Sequence, residues 1–183
     1  MRADGMMMID RFASRSDEWH KLLEGVKPRE PDVLFDREAK LDLGGVTVTM
    51  TWFTGGHTRG DMMTFVEPDK TLISGDIVES KLVPTMLEGT SSVKGWLAIL
   101  DAVEKLQARY VVPDHGDLGD GSLVGKEKAF INDIRDAAVT LKKQGISADD
   151  AGKRVTESMK VKYSDYPNIA NVPNVVRRVY AEY

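Results

Sequence analysis

Residues 46–61 read VTVTMTWFTGGHTRGD, and this stretch decides the fold. Its first eight residues alternate strictly, with Val46, Val48, Met50 and Trp52 on one face and mostly threonine on the other. Alternation of β-branched and aromatic residues predicts a half-buried strand. The glycine-rich run that follows predicts a sharp turn, and His57 lies in that turn at the end of the strand.

Two further turns repeat this arrangement of a short strand followed by a side chain that could bind a metal. LISGD, residues 72–76, ends at Asp76, and VVPDHGD, residues 111–117, contains His115. Imidazole nitrogen and carboxylate oxygen are good ligands for zinc and similar divalent ions. A lone loop histidine is more often solvated, and Asp after Gly is more often a turn residue. Three such turns in one chain favour a shared site at one sheet edge.

The pattern on either side of these turns predicts an α/β fold in which helices cover a sheet. Strands are predicted over residues 32–36, 39–43, 46–53, 63–67, 71–74 and 109–113. Helices are predicted over residues 6–24, 93–107, 124–143 and 147–160, with a last short one after Pro173. Ser16, Ser91 or Ser92, and Ser147 are the predicted N-caps.

Composition narrows the possible classes of function. The 183 residues carry a net charge of −4 and no cysteine, which excludes disulfides, thiolate metal sites and a cysteine nucleophile. No cluster of basic residues stands out, so nucleic acid is not expected as a partner. No apolar run is long enough to span a membrane, and the N-terminus has no secretory layout. These features predict a single domain, residues 1–183, in the cytoplasm.

In order and spacing, GGHTRGD, LISGDIV and VVPDHGD resemble the second half of the metallo-β-lactamase superfamily. The similarity extends from the strands near residue 32 through the strand at 109–113. The resemblance implies a metallo-β-lactamase-like αββα sandwich and metal-dependent hydrolase chemistry. It also implies that His57 and His115 each bind one of two zinc or similar divalent ions, and that Asp76 bridges them.

The sequence departs from the family pattern in two places. The third motif has Asp114 where the family often has Gly, which narrows the turn or adds a carboxylate to the site. The family's first metal motif, His-x-His-x-Asp-His, is not found in this sequence; His20 is the one histidine before His57. We read His20 as an exposed helix residue. We therefore expect an N-terminally truncated member of the family, one with little affinity for metal.

Two functions remain open from the sequence. The first is a superfamily hydrolase, in which metal-activated water attacks an ester, lactone, thioester or β-lactam, with a small-molecule substrate and impaired turnover. The second is a catalytically inactive remnant that acts as a structural or interaction protein. The missing motif favours the second.

Some polar and apolar segments have simpler readings. We expect Arg59, Asp61 and Glu79 to be solvated loop charges. Residues 79–92 are the best candidate for a loop over the site mouth, where Met86 and Leu87 either touch an apolar substrate or pack in the core. The methionine run at residues 6–8 is expected in the core or an interface.

The strand at 46–53 also predicts self-association. A truncated sandwich leaves the face of Val46, Val48, Met50 and Trp52 without its usual cover, except where residues 6–24 fold back over it. Exposed apolar sheet faces promote association. We therefore expect a homodimer or a larger self-associated species.

Overall fold

The computed structural model describes residues 2–86 and 89–183, with side chains from residue 5 onward. Within the chain, contacts define two compact units, Met1–Asp36 and Arg37–Tyr183. The second unit contains the sheet and all three predicted site residues. That residues 1–183 form a single domain stays a prediction.

The sheet of the second unit is built around the alternating strand that the sequence predicts. Its six strands are β1 (Glu38–Asp42), β2 (Thr47–Trp52), β3 (Met62–Glu67), β4 (Thr71–Gly75), β5 (Tyr110–Pro113) and β6 (Gly119–Asp120). They lie in sequence order, and every pair is antiparallel except β4 and β5, which are parallel. Gly44 and Gly45, both at positive φ, form the turn from β1 to β2. This mixed sheet with its helices agrees with the predicted α/β class.

The helices also follow the predicted pattern closely. They are α1 (Arg2–Ala13), α2 (Asp17–Leu23), α3 (Val93–Glu104), α4 (Ser122–Lys143), α5 (Ala148–Lys162) and α6 (Val172–Glu182). A 3₁₀ turn at Ile169–Asn171 precedes the last helix. The Ser16, Ser92 and Ser147 side chains accept hydrogen bonds from backbone N–H groups three residues on. These serines therefore cap α2, α3 and α5, as predicted.

One face of the sheet is buried in the core. Met63, Leu72 and Val111 alternate onto this face and are at most 2% exposed. They belong to the same apolar cluster as Trp96 and Leu100 of α3 and the buried stripe of α4. α3 also connects β4 to β5. Because these two strands are parallel, the chain needs a long crossover between them, and α3 forms it.

The opposite face, which we call the outer sheet face, exposes large apolar side chains. They are Leu41, Val46, Trp52, Met62, Ile73 and Tyr110, each between 39% and 48% exposed. Strand register places them on one face. Trp52 pairs with Met62, and Tyr110 pairs with Thr71, which shares a face with Ile73 because the two are separated by one residue in β4. The exposure that the sequence predicts for Val46 and Trp52 is observed, while the residues between them on β2 are half-buried.

The first unit agrees only in part with the sequence prediction. The helical segment predicted over 6–24 consists of two helices separated at residues 14–16, and the second starts at the predicted cap Ser16, which takes extended backbone angles. Residues 32–36 form no strand, and Val33 and Leu34 are more than 70% exposed. An isolated apolar segment without a partner strand has no hydrogen-bonded ladder to join. The methionines at 6–8 are at least 42% exposed, so they are not core residues, and their place in an interface stays a prediction.

Across the described residues, no helix combines the length and apolar character that a membrane span requires.

Candidate metal centre

Three strands end at the same edge of the sheet and carry the predicted residues there. β2 and β4 are both antiparallel to β3, and β5 is parallel to β4, so all three run in one direction. His57 follows β2, Asp76 follows β4 directly, and His115 follows β5. The topology therefore converts three distant turns into neighbours.

The Asp76 carboxylate lies between the two imidazoles. His57 Nε2 is 3.9 Å from Asp76 Oδ2, and His115 Nε2 is 3.6 Å from Asp76 Oδ1. Each oxygen thus faces a different ring, at a separation longer than a hydrogen bond. His57 and Asp76 line one cavity of about 380 Å³ with Asp61 and Met62. His115 is not part of that lining, and its side chain is 58% exposed.

The His57 ring is held in the tautomer that a metal ligand needs. Its Nδ1 lies 2.8 Å from the carbonyl oxygen of Thr85. Because a carbonyl only accepts, Nδ1 carries the proton and donates it, which leaves the Nε2 lone pair facing Asp76. Ser91 Oγ donates to the His57 carbonyl at 2.8 Å, and the ring meets Trp96 edge-on.

The His115 turn depends on a glycine. Gly116 has φ +87°, and a Cβ built there would lie 2.5 Å from the Ser80 carbonyl oxygen. The Ser80 backbone N–H in turn donates to the His115 carbonyl. Asp114, the departure from the family pattern, brings its Oδ2 to 3.8 Å from His115 Nε2. It therefore adds a carboxylate to the site.

Two carboxylates that the sequence analysis places in solvent are buried. Asp61 is 9% exposed, and one of its oxygens accepts from the Thr58 backbone N–H and hydroxyl, both at 2.7 Å. Glu79 is 6% exposed in the turn after β4. Arg59 is exposed as expected, and so is His20 on α2. Asp61 is enclosed partly by its own turn, through Thr58, and Glu79 follows the apolar pair Ile77 and Val78.

Glu79 belongs to a group of side chains that could hold an ion. One ligand atom from each of Asp76, Glu79 and His115 lies within 4.8 Å of the other two. Burial, followed by the negative charges of Asp76 and Asp114, raises the pKa of Glu79 to about 7. One feature of the sequence could have indicated that Glu79 lies at the site: it follows Asp76 by three residues in the same turn.

A second buried acid, Glu127 of α4, is near Glu79. It is 1% exposed, and neither carboxylate oxygen has a hydrogen-bond partner among the described residues. Burial, followed by the charge of Glu79, holds the pKa of Glu127 well above its ordinary value. The sequence analysis assigned no role to this residue, since a glutamate within a long helix usually faces solvent.

The segment after Asp76 packs against the site over much of its length. Val83 and Met86 are buried, and the Asn168 side chain bonds both the N–H and the carbonyl of Val83. Thr85 contacts His57 as described above. The described part of the predicted mouth loop is therefore anchored, and Leu87 lies outside the described residues. Met86 packs in the core and also lines a cavity with Asn174, Arg177 and Arg178.

Comparison with known proteins agrees with this geometry. The family model described as the metallo-beta-lactamase superfamily matches residues 3–115, which include all three strand-end turns. The chain belongs to the metallo-β-lactamase superfamily. The fold class predicted from the sequence is thereby confirmed, and the hydrolase-like architecture with it.

The similarity to individual proteins covers only part of each of them. A metallo-beta-lactamase type 2 of Bacteroides fragilis is 26% identical over 105 residues, which are 56% of this chain and 42% of that protein. The structure of a metallo-beta-lactamase from Pontibacter korlensis is 24% identical with a TM-score of 0.51, over 62% of this chain and 54% of the other. The stereoselective inverting sec-alkylsulfatase Pisa1 from Pseudomonas sp. is 17% identical with a TM-score of 0.57, over 84% and 27%.

This chain thus spans about half the length, or less, of the superfamily members it matches. Members of this superfamily are metal-dependent, and the donor set found here fits a divalent ion. Neutral imidazole and carboxylate oxygen both bind zinc, with bonds of about 2.0–2.2 Å. The ligand-atom spacing of at most 4.8 Å is close to what a single ion of that kind spans.

Proposed function

We propose that this chain is a metallo-β-lactamase-superfamily hydrolase-like protein whose site binds a divalent ion, zinc or a similar metal, through His57, Asp76 and His115. The observation that carries the proposal is the position of Asp76, with one oxygen facing each imidazole. A divalent ion in such a site lowers the pKa of a water molecule to about 7 and polarises a substrate carbonyl.

The chain's own residues have definable tasks in that chemistry. Asp76 fixes the negative charge that attracts the ion, and the two histidines offer neutral nitrogen. The Thr85 carbonyl sets the His57 tautomer. The cavity beside His57 gives a small-molecule ester, lactone, thioester or β-lactam a place to approach Asp76.

We further propose that hydrolysis by this chain is close to background. Two imidazoles reach the site, and they face opposite oxygens of one carboxylate, so neither ion of a two-metal pair would have a full set of protein ligands. Structural and catalytic zinc sites normally use three or four protein ligands. Turnover should therefore be impaired, as the sequence analysis expects.

The rival function is a catalytically inactive remnant that acts as a structural or interaction protein. The outer sheet face favours it, because clustered exposed apolar side chains are typical of association surfaces. Both functions are compatible with bound metal and with rates near background, and hydrolysis clearly above background that depends on His57 would separate them.

The proposal is tested by assaying a chromogenic β-lactam, a lactone, an aryl ester and a thioester with added zinc. A sec-alkyl sulfate is included because one structural neighbour is a sec-alkylsulfatase. We expect rates near background that His57→Ala leaves unchanged. Robust hydrolysis that His57→Ala abolishes would show an unimpaired enzyme and rule out the remnant.

Metal content gives a second, independent measurement. After dialysis against metal-free buffer, elemental analysis should find well under one zinc ion per chain, because few ligands hold it. Close to two zinc ions per chain would show that further ligands complete the site and would contradict the proposed impairment.

A further inference from the structure

Glu79 is a buried acidic residue with no cationic side chain paired to it in the part of the chain that the structure describes. It is 6% exposed. Burial of a carboxylate is costly unless a hydrogen bond, a counter-charge or a metal compensates. No lysine or arginine forms an ion pair with Glu79 among the described residues, so a bound cation is the compensation that the surroundings allow.

The neighbours of Glu79 are the residues of the proposed metal centre. Its ligand atom lies within 4.8 Å of those of Asp76 and His115, whereas His57 is not a member of that group. We propose that Glu79 is itself a ligand, and that Asp76, Glu79 and His115 together bind one divalent cation. This inference rests on the proposed function for Asp76 and His115 and adds a third ligand to it.

The surrounding charges support this assignment. Asp76 and Glu79 lie within ligand-atom reach of His115, and Asp114 Oδ2 is 3.8 Å from the same ring, so three carboxylates share one small volume. A divalent cation converts that mutual repulsion into attraction. The unpartnered carboxyl of Glu127 lies beyond Glu79 and adds a further acidic group on the protein side.

Two carboxylates at this edge differ in a way that allows a matched test. Glu79 is in the three-residue group, and Asp114 is not, although Asp114 also lies close to His115. Glu79→Gln and Asp114→Asn each replace one ionisable carboxyl group by an amide while preserving shape. If charge alone attracts the cation, both variants should weaken binding equally.

The experiment is isothermal titration of the full chain with Zn²⁺ and with Mn²⁺. Wild type should bind one ion, Glu79→Gln should weaken binding by at least about 10-fold, and Asp114→Asn should change it by no more than about 3-fold. Glu79→Asp keeps the charge but withdraws the carboxylate, so ligation predicts that it also loses affinity. Thermal melts without metal establish that each variant is folded.

The outcomes separate this inference from the proposed function. Equal effects of Glu79→Gln and Asp114→Asn, or full affinity in Glu79→Asp, would overturn the role of Glu79. If Asp76→Asn or His115→Ala still abolishes binding in that case, the proposed function stands. Absence of any saturable binding by wild type, or binding that none of these substitutions weakens, would overturn both.

Discussion

At the scale of single residues, this site is defined by carboxylates that lack ordinary partners. Asp76 stands between two imidazoles, Glu79 is 6% exposed, and both carboxylate oxygens of Glu127 are buried without a hydrogen-bond partner among the described residues. Such arrangements lower stability in the absence of a ligand and are typical of functional sites. Two predictions test individual residues here.

The first concerns Glu127 and pH. Because its pKa is raised in the folded state, the folded chain keeps a proton that the unfolded chain releases above about pH 4.3. This contribution to stability is fully present below that pH and is lost as pH rises toward the folded pKa. Glu127→Gln has no proton to release, so its Tm should fall less steeply than that of wild type between pH 5 and pH 8.

The measurement is thermal unfolding across this pH range with a chelator present. Glu79 and Tyr166 lie near Glu127, and the pKa of Tyr166 is raised by burial, so the tyrosine stays neutral throughout. Glu67→Gln, at the exposed end of β3, is the control and should parallel wild type. Parallel profiles for Glu127→Gln and wild type would show that Glu127 is not protonated in the folded chain.

The second residue prediction concerns Gly116. Alanine there would combine a positive φ with a contact of 2.5 Å to the Ser80 carbonyl oxygen. We expect Gly116→Ala to lower the free energy of unfolding by about 2–4 kcal/mol, as strain and overpacking add. Gly145→Ala has φ +76° but open space around the added methyl, so it should cost only about 1–2 kcal/mol. Urea unfolding that ranks the two variants equally would show that the Ser80 turn adapts freely.

At the scale of elements, local caps define where helices begin and a distant side chain reinforces one of them. Ser92 caps α3 from within the same turn, as the sequence predicts. Glu182, at the far end of α6, also accepts from the backbone N–H groups of Val93 and Lys94 at 2.8 and 3.0 Å. Since the N-terminus of a helix favours negative charge, Glu182 ties the last helix to the first turn of α3.

Glu182→Gln should therefore destabilise the protein. The Glu182 carboxylate accepts three hydrogen bonds here, from Ser92 Oγ and from the N–H groups of Val93 and Lys94. Removing its charge at this partly exposed site is expected to lower the free energy of unfolding by about 1–2 kcal/mol. Urea unfolding followed by circular dichroism measures this change. Glu157→Gln, on the exposed surface of α5, should stay within about 0.5 kcal/mol of wild type. Equal stability of both variants would show that Ser92 alone caps α3.

At the scale of the whole molecule, the outer sheet face is the feature that most affects behaviour in solution. Its six large apolar side chains are gathered by strand pairing and are nearly half exposed. Burial of apolar area contributes about 25 cal/mol per Å², so even partial cover of this face would be favourable. A second copy of the chain is the partner we propose for it.

The oligomeric state should accordingly depend on concentration. Sedimentation velocity is expected to show a dimer or larger species that dissociates on dilution. Ile73→Lys places a charge in the middle of the face and should shift the equilibrium toward monomer. Val161→Lys is the matched control, since Val161 is 84% exposed on α5. A strictly monomeric wild type with a sharp melt would contradict the prediction.

The features that could be predicted from the amino-acid sequence are local ones. The alternation of residues 46–53, the glycine turns and the serine caps specify strands, turns and helix starts through neighbours in the chain, and they locate His57, Asp76 and His115 at strand ends. The family followed from the order of those turns. Residues 32–36 show the limit of this reasoning, because a strand needs a partner that local sequence does not supply.

Which charged side chains are buried depends on tertiary packing. Glu79 and Asp61 lie in turns, yet both are buried, and Glu127 faces inward from a helix with many exposed charges. The burial of Glu79 and Glu127 depends on packing between segments distant in the chain, since these two carboxyl groups lie near each other. The same packing brings Glu79 to Asp76 and His115 and leaves the outer sheet face exposed. Long-range contacts therefore set the chemistry of a site whose individual turns are local.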